Sequence, residues 1–204
     1  MSETTKQELA GVLVQLRRRV GAHFEAAVTR TPAAFACRAG CESCCHQRFG
    51  VFEVEAAPVR RALAELAARD PALRRRVREQ ADDPAHADRC ALLVDGLCAV
   101  YEARPMICRT HGLPILVRDE DGTEDGSTAT DSLRVDHCPL NFREHAPPSE
   151  SVLRLAAVNE PLVVLARLWD GGQRVELSEL ARADDVADGE DAESKEFPIV
   201  RKNS

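Results

Sequence analysis

The chain has 204 residues, of which 44% are hydrophobic and only 4% are aromatic, and its formal net charge is −7. Because phosphate binding needs concentrated Lys and Arg, this acidic balance argues against a nucleic-acid partner. No stretch of the sequence approaches the roughly 20 consecutive apolar residues that span a bilayer, so we expect no membrane partner.

Alanine and leucine are prominent in the composition, which favours helices over short strands. The first periodic segment, residues 6–30, repeats apolar residues at steps of three and four and predicts an amphipathic helix that ends at Thr31-Pro32. His23 lies on its apolar side, where we expect a packed or half-buried histidine rather than a metal ligand. The repeating residues are Leu9, Val12, Leu13, Leu16, Val20 and Phe24.

Residues 54–70 and 70–83 predict two further helices that form a helical hairpin. Pro58 is tolerable only in the first turn of the earlier helix, and Asp70 is the predicted N-cap of the later one, with proline at its first position. Arginines 74–76 and 78 fan around that later helix. We interpret them as a solvated face rather than a nucleic-acid patch.

Two short apolar runs are joined by Asp95-Gly96, which is the strongest short-range signal for a two-residue β-hairpin. Such a ribbon would hold Cys90 and Cys98 near its opposite ends. A short helix is predicted after Pro105, and it leads into the apolar run at residues 115–117.

Residues 118–131 carry six acidic side chains. They predict a solvated loop, or the tip of a long hairpin that returns through residues 133–135. The ligand spacing of a calcium-binding EF-hand is absent.

A capped apolar stretch begins at Ser149 and ends at the glycine pair that follows Asp170. Pro161 either starts a new helix in this stretch or kinks a single one, and Trp169 is an expected core residue. Beyond residue 183 the sequence is acidic and nearly free of large apolar residues, which predicts a disordered tail.

These elements predict a single, mainly α-helical domain with a small β-hairpin element around a cysteine-rich metal centre. Residues 1–31 form an N-terminal helix packed on the domain, and residues 32–146 form the cysteine-cluster, metal-binding part. Residues 147–182 supply C-terminal helices of the same domain, and residues 183–204 form the acidic tail.

Eight cysteines in the middle half of the chain are the strongest functional signal, and all eight are candidate metal ligands. The N-terminus lacks the basic and apolar regions of a secretory signal, so we predict a cytoplasmic protein, in which thiols stay reduced. The alternatives to a metal site are a disulfide scaffold and inert buried thiols. The candidates are Cys37, Cys41, Cys44, Cys45, Cys90, Cys98, Cys108 and Cys138.

Clustered thiolates bind tetrahedral zinc, or iron as a mononuclear centre or an iron–sulfur cluster. Eight thiols could supply two sites with four ligands each, or one site plus spectators. If residues 37–45 form a helix, Cys37, Cys41 and Cys44 fall within roughly 60° of one another around its axis. The same three match the spacing in radical S-adenosylmethionine enzymes, but Ser43 stands where those enzymes carry an aromatic residue, and βα repeats are missing.

The ordered combination of "CRAGCESCC", "CALLVDGLCAVYEARPMICR" and "HCPLNF" carries a broader resemblance. Residues 35–145 resemble the YkgJ-type cysteine-cluster family, described as a CxxCxxCC zinc- or iron-chelating domain. The resemblance implies that every cysteine except Cys37 is a ligand. Three residues separate Cys37 from Cys41 where the family pattern has two, which leaves the role of Cys37 open.

Charged and imidazole side chains near the cysteines are candidates for supporting roles. Arg104 and Arg109 flank Cys108, where cations lower the pKa of thiolates, or they pair with nearby glutamates at 53, 55 or 102. His111 and His137 are the best additional ligands or hydrogen-bond donors, followed by the histidine at position 46. The tyrosine at position 101 is expected in the core.

The primary hypothesis is a metal-binding protein whose zinc or iron centre is structural, storing or regulatory. The resemblance also includes iron–sulfur proteins and flagellin lysine methylases, which implies an iron–sulfur-dependent redox or protein-modification enzyme as the alternative. A third hypothesis is a disulfide-stapled interaction domain. A closed four-ligand site favours the first, and an open coordination position favours the second.

Overall fold

The computed structural model describes residues 2–118 and 133–183. This part of the chain forms six α-helices and seven short strands in three small sheets, so the prediction of a mainly α fold with small β elements is confirmed. The helices are α1 Glu3–Arg30, α2 Glu53–Arg69, α3 Pro71–Asp82, α4 Met106–Thr110, α5 Ala156–Asp170 and α6 Leu177–Arg182. The strands are β1 Gly50–Phe52, β2 Leu93–Val94, β3 Leu97–Cys98, β4 Ile115–Arg118, β5 Leu133–Asp136, β6 Leu153–Arg154 and β7 Arg174–Glu176.

The three sheets contain four strand pairings. Two of them, β2–β3 and β4–β5, were predicted, and the sequence did not indicate the other two. Strands β2 and β3 form the hairpin, and β1 pairs antiparallel with β7 near the other end of the chain. Strand β4 lies between antiparallel β5 and parallel β6. The predicted return of the long hairpin through residues 133–135 is confirmed, whereas its acidic tip at residues 119–132 and the tail after residue 183 lie outside the described residues.

The buried side chains form two clusters. One cluster joins α2, α3, α6 and the β2–β3 hairpin, and it includes the thiol of Cys90. The other joins α1 and α5, with Leu13, Val20 and Leu165 among its members and Trp169 packed at its edge. Because α5 contacts both α1 and α2, we propose that the N-terminal helix and the C-terminal helices belong to the same domain as the cysteine cluster.

Helix α1 matches its prediction closely. The side chain of its N-cap residue, Ser2, accepts a hydrogen bond from the Thr5 amide, and the helix ends at Thr31 as predicted. Val12, which shares the apolar repeat, is 46% exposed and therefore lies outside the core. His23 is half-buried and donates from Nε2 to the Ser151 carbonyl at 3.0 Å, in line with a packing role.

Two prolines lie inside helices rather than in a first turn. Helix α2 begins at Glu53, so Pro58 falls in its second turn, and the prediction for its position was wrong. Pro161 lies within the single helix α5, which ends at Gly171 with a φ of +85°. Each proline removes one backbone donor from its helix, and the packing of these helices offsets that loss.

The hairpin turn has the geometry that its sequence demands. Asp95 and Gly96 have φ values of +51° and +75°, which is the pattern of a type I′ turn. Leu93 pairs with Cys98, and the Leu93 amide also donates to the Cys90 carbonyl at 3.0 Å. The chain therefore turns just before β2, and Cys90 lies at the same open end as Cys98, not at the opposite end as predicted.

The arginines of α3 do not form a uniformly solvated face. Arg74 is only 3% exposed, and its guanidinium donates to the carbonyls of Ala181 and Ala183 at 2.8 and 2.7 Å. Arg76 makes two hydrogen bonds to the Asp95 carboxylate at 2.8 and 2.6 Å. The solvated-face prediction was therefore wrong for Arg74, because the arginines fan around α3 and one of them faces α6.

No helix in the described part of the chain is both long enough and apolar enough to cross a membrane.

Replacing Arg74 by alanine should lower the free energy of unfolding by about 1–3 kcal/mol, because the carbonyl of buried Ala181 in α6 loses its side-chain donor and the Ala183 carbonyl loses the shorter of two. The matched control is Arg75→Ala on the same helix, where the side chain is 71% exposed and pairs with Glu79 at 3.7 Å. That control should change the free energy by less than about 0.5 kcal/mol. Urea denaturation measures both, and equal losses would contradict the role of Arg74.

Candidate metal centre

The first four cysteines lie in an irregular loop rather than on a helix. Only Ser43–Cys45 forms a short 3-10 turn, and the Cys41 amide closes a turn onto the Arg38 carbonyl at 3.0 Å. Gly40 has a φ of +84°, in the left-handed region that typically ends helices. The helical interpretation of residues 37–45 was therefore wrong, and the argument that placed three thiols on one helix face does not hold.

Four thiols from separate segments lie close together, and we call them the inner thiol group. Burial raises the pKa of the Cys108 thiol, and the charges of the other three thiols raise it further. Burial likewise raises the pKa of Cys90, with further contributions from Cys98 and Cys44. The group consists of Cys44 in the 3-10 turn, Cys90 before β2, Cys98 in β3 and Cys108 in α4.

Backbone hydrogen bonds bring these segments together. The Cys90 amide donates to the Cys45 carbonyl at 2.8 Å, which ties the irregular loop to the start of the hairpin. The register of the hairpin then places Cys98 opposite Leu93. The inner thiol group is thus assembled by main-chain pairing between segments about 45 residues apart in sequence, as the Cys45–Cys90 bond illustrates.

Helix α4 is held in place by a buried carboxylate. Glu55 is 5% exposed and accepts a hydrogen bond from the Met106 amide at 2.7 Å, at the start of the helix that carries Cys108. Burial raises the pKa of Glu55. This role was not predicted from the sequence, where position 55 was considered only as a partner for Arg104 or Arg109.

The inner thiols are protonated at neutral pH when no metal is bound. Burial raises the pKa of Cys90 to about 11 and that of Cys108 to about 12. Burial also raises the pKa of Cys98, whereas the pKa of Cys44 is raised chiefly by a hydrogen bond with the Cys45 thiol. A metal ion must therefore displace protons from this group in order to bind.

Arg104 supplies positive charge to the inner thiol group, as predicted. Its charge partly offsets the rise in pKa at Cys44, Cys98 and Cys108. The guanidinium carbon lies 3.4 Å from the ring centroid of Tyr101. Tyr101 is 55% exposed, so the expectation of a core tyrosine was wrong. Its ring instead holds the cation in position beside the thiols.

Arg109 has a different role from Arg104. Its guanidinium donates to the Arg104 carbonyl at 2.9 Å and to the Glu102 carbonyl. Glu53 pairs instead with Arg60 at 2.6 Å. Arg109 therefore braces the backbone around α4, and of the two arginines only Arg104 offsets the charge of the inner thiols.

Three further thiols form a second cluster, which we call the outer thiol group: Cys37, Cys41 and Cys138. Burial raises the pKa of Cys37, and the neighbouring Cys41 and Cys138 raise it further. Cys44 of the inner group makes a smaller contribution to the same shift. The eight cysteines thus divide into four inner thiols, three outer thiols, and Cys45 next to the inner group.

Asn141 organises the outer thiol group and was not foreseen from the sequence. It is 1% exposed. Its Oδ1 accepts from the Ala36 amide at 2.8 Å, and its Nδ2 donates to the Gly112 carbonyl at 2.7 Å and to Cys37 Sγ at 3.4 Å. The backbone amide of Asn141 donates to the Cys138 carbonyl at 2.9 Å. A single side chain therefore connects three segments around Cys37.

Both thiol groups border one cleft of about 420 Å³. Cys44 of the inner group and Cys138 of the outer group contribute to its wall. His46 lies outside this lining and contacts Glu42 at 3.3 Å, so the cleft does not use it. The polar residues and thiols that line the cleft are Ser43, Cys44, Gln47, Thr110, His111, Asp136, His137 and Cys138.

The two histidines of the cleft are held by backbone carbonyls. His111 Nδ1 lies 2.7 Å from the Ile107 carbonyl, and its Nε2 lies 3.4 Å from the Gln47 side-chain nitrogen. His137 Nδ1 lies 3.1 Å from the Cys138 carbonyl. The structure brings both predicted histidines to the same cleft.

The chemistry of the donor set fits zinc or iron, because clustered thiols are soft ligands. None of the eight cysteines forms a disulfide. Across residues 2–118 and 133–183, no three Cys, His, Asp or Glu side chains already converge on one point. A Zn–S distance of about 2.3 Å requires sulfurs roughly 3.8 Å apart, so binding would draw the thiols inward. Their assignment as ligands stays a prediction.

Comparison with known families supports a metal site. The CxxCxxCC family model, described as a "putative zinc- or iron-chelating domain", matches residues 36–130. Those residues are therefore similar to a CxxCxxCC domain. The matched span contains both ends of the Cys45–Cys90 connection and all four inner thiols, and it ends before Cys138. The family resemblance is confirmed over this span, and no curated protein or solved structure matches the chain.

Within the matched span, Gly112 permits the close approach of Cys37. Gly112 has a φ of +91°, and a Cβ at this position would lie 2.5 Å from Cys37 Sγ. Gly112→Ala should therefore displace Cys37 in addition to the backbone strain of about 1–2 kcal/mol that alanine meets at positive φ. The matched control is Gly171→Ala, where φ is +85° and no atom lies within 4 Å.

Thermal unfolding and the alkylation rate of Cys37 test this comparison. We expect Gly112→Ala to lose more stability than Gly171→Ala and to make Cys37 react faster in the metal-free protein. Similar stability losses in the two variants, with no change at Cys37, would show that the close contact does not constrain the thiol.

The raised pKa values predict how the inner thiols react. In reduced, metal-free protein, alkylation of Cys90 and Cys108 should still rise about tenfold between pH 9 and 10, because the thiolate is the nucleophile and their pKa values are about 11 and 12. In urea the alkylation rates should level off once the pH rises above the ordinary thiol pKa of about 8.5. Peptide mapping after iodoacetamide measures the rates, and a plateau near pH 9 in folded protein would contradict the burial.

Proposed function

We propose that the protein binds zinc or iron in a four-thiol centre formed by Cys44, Cys90, Cys98 and Cys108. The observation that carries this proposal is the backbone pairing that brings these segments together, since the Cys90 amide bonds to the Cys45 carbonyl at 2.8 Å and Leu93, which bonds to the Cys90 carbonyl, pairs with Cys98. The charge of Cys44 also raises the pKa of the other three thiols. None of them is consumed in a disulfide. Four thiolates satisfy a tetrahedral zinc ion, a mononuclear iron centre or an iron–sulfur cluster.

A metal centre explains the arrangement better than inert burial does. Inert cysteines behave as small apolar residues and have no reason to gather beside one another. Neighbouring thiolates repel one another. A bound cation attracts each of them and so offsets this repulsion. The description of the family as zinc- or iron-chelating supports the same conclusion.

The surrounding residues have defined tasks in this proposal. Arg104, fixed over the Tyr101 ring at 3.4 Å, offsets the net negative charge that four thiolates leave on a divalent ion. Glu55 positions Cys108 through the start of α4. When bound, the metal would cross-link the irregular loop, the hairpin and α4, so its binding free energy would add to the stability of the fold.

A reduced cellular compartment suits this function. Free thiols persist in the cytoplasm, so we propose a cytoplasmic location and a metal ion as the principal partner. The described residues give no support to the disulfide-stapled interaction domain, since all eight cysteines are unpaired.

An iron–sulfur-dependent redox or protein-modification enzyme is the second candidate. The observation that favours it is the cleft of about 420 Å³ whose wall includes Cys44, a member of the proposed centre. A cleft at a metal centre provides room for a substrate, which a closed structural site does not need.

Anaerobic purification followed by metal and sulfide analysis tests the four-thiol centre. We expect a stoichiometric amount of zinc or of iron. If the centre is an iron–sulfur cluster, acid-labile sulfide should accompany the iron. Cys98→Ser and Cys108→Ser should each lower the occupancy of this centre at least about tenfold in competition with a chelator, because each removes one of four ligands.

His23→Ala is the control, because His23 is half-buried and hydrogen-bonded but belongs to neither thiol group. It should retain the metal content of the unmodified protein. Protein that contains no metal and in which all eight thiols titrate freely would overturn the proposal. Equal metal content in His23→Ala and Cys108→Ser would reject Cys108 as a ligand.

A further inference from the structure

Strand β5 lies at the edge of the three-stranded sheet, and its outer side has no neighbouring strand in the described part of the chain. The order of that sheet is β5–β4–β6, and all four residues of β5 are exposed. An edge strand presents unpaired amides and carbonyls to any other extended chain. The outer side of β5 is therefore a place where a further strand can add.

The hydrogen bonds of β4 show which main-chain groups of β5 point outward. The Leu155 amide donates to the Leu116 carbonyl at 3.3 Å, so the main chain of Leu116 faces β6. Leu116 lies opposite Val135 of β5. Because pairs in an antiparallel ladder alternate between hydrogen-bonded and non-hydrogen-bonded, Arg134 and Asp136 bond to β4 and Val135 does not. The amide and carbonyl of Val135 consequently lie at the outer edge.

The side chains of β5 divide by polarity between the two faces of the sheet. Arg134 and Asp136 share one face, where Nη1 of the arginine lies 3.6 Å from Oδ2 of the aspartate. Asp136 also lines the cleft, so this is the cleft face of the sheet. Leu133 and Val135 share the opposite face, where they are 60% and 43% exposed. The edge strand thus has one charged face and one apolar face that is open to solvent.

We propose that β5 pairs antiparallel with β5 of a second copy of this chain, with the two Val135 residues opposite each other at a two-fold axis. These two residues exchange main-chain hydrogen bonds, and the two sheets join into one. Charge complementarity identifies the occupant, because the segment Arg-Val-Asp is complementary to itself when one copy runs in the reverse direction. Arg134 of each copy lies directly opposite Asp136 of the other, and opposite charges in that position stabilise a strand pair.

The charges also select this register over its neighbours. Residues directly opposite each other lie on the same face of a sheet, so a symmetric pair shifts only by placing another residue on the axis. With Arg134 on the axis two arginines would face each other, and with Asp136 on the axis two aspartates would. Like charges directly opposite destabilise a strand pair. With Val135 on the axis the four charges alternate in sign, and the apolar side chains of both copies form one strip on the opposite face.

The dimer changes the cleft as well as the sheet. Because Asp136 lines the cleft of about 420 Å³, Arg134 of the second copy lies beside the cleft wall and adds a cation there. An edge of four residues is short. A standard interface buries roughly 800 Å² on each partner, so we expect a reversible dimer that depends on protein concentration. The dimer requires no bound metal, and its failure would leave the four-thiol proposal intact.

Analytical ultracentrifugation of the reduced full chain tests this inference, since a thiol reductant excludes disulfide-linked copies. We expect the chain to change from monomer to dimer between about 1 and 200 µM. Hydrogen exchange at both concentrations locates the interface, and the Val135 amide should exchange at least about threefold more slowly at the higher one. A monomer throughout this range would overturn the proposal, whether the edge then binds an extended peptide of another protein or nothing. A dimer in which the exchange of Val135 does not change would overturn it as well.

Charge variants test the register. Arg134→Asp and Asp136→Arg each place like charges opposite each other, so each should weaken self-association at least about tenfold. An equimolar mixture of the two variants should dimerise again, because every opposing pair is then unlike, and this recovery also shows that both variants are folded. Arg75→Asp is the matched control, since Arg75 is 71% exposed on α3 and undergoes the same change of charge. It should retain the unmodified affinity. An unchanged affinity in Arg134→Asp, or a mixture that stays monomeric, would overturn the pairing.

Discussion

The crowding of buried thiols around Cys44 is the constraint on which the rest of this site depends. Burial and the charges of neighbouring thiols both favour the protonated form, so at neutral pH these thiols stay protonated unless a cation compensates their charge. The thiols cannot avoid one another by moving apart, because Cys98 is fixed by the hairpin and Cys90 by its bond to the Cys45 carbonyl. The metal binding that we propose would relieve this constraint.

The fold meets the constraint with polar residues placed outside the thiol groups. Glu55 fixes the start of α4, and Arg104 brings positive charge against three inner thiols while it stacks on Tyr101. Asn141 has the corresponding task at the outer group, where it bonds three separate segments. These residues set the positions of the proposed ligands, in the way that neighbouring residues usually do around metal sites.

Local signals in the sequence predicted most of the secondary structure. The apolar repeat of α1, the cap at Asp70 and the Asp95-Gly96 turn each act within a few residues, and each prediction was confirmed. Predictions failed where distant packing overrides a local preference. Arg74 is buried because α6 lies against α3, and Pro58 is tolerated because α2 is held by its neighbours.

The sequence by itself determined the candidate donor chemistry: eight cysteine thiols, their spacing, and a family pattern that indicates zinc or iron. Only the tertiary structure decided how those thiols divide. Spacing along the chain grouped Cys37 with Cys44 on a supposed helix face, whereas the loop around Gly40 is not helical and Asn141 ties Cys37 to the Cys138 segment. The physical reason is that ligand sets depend on distances in space, and pairing between remote segments sets those distances.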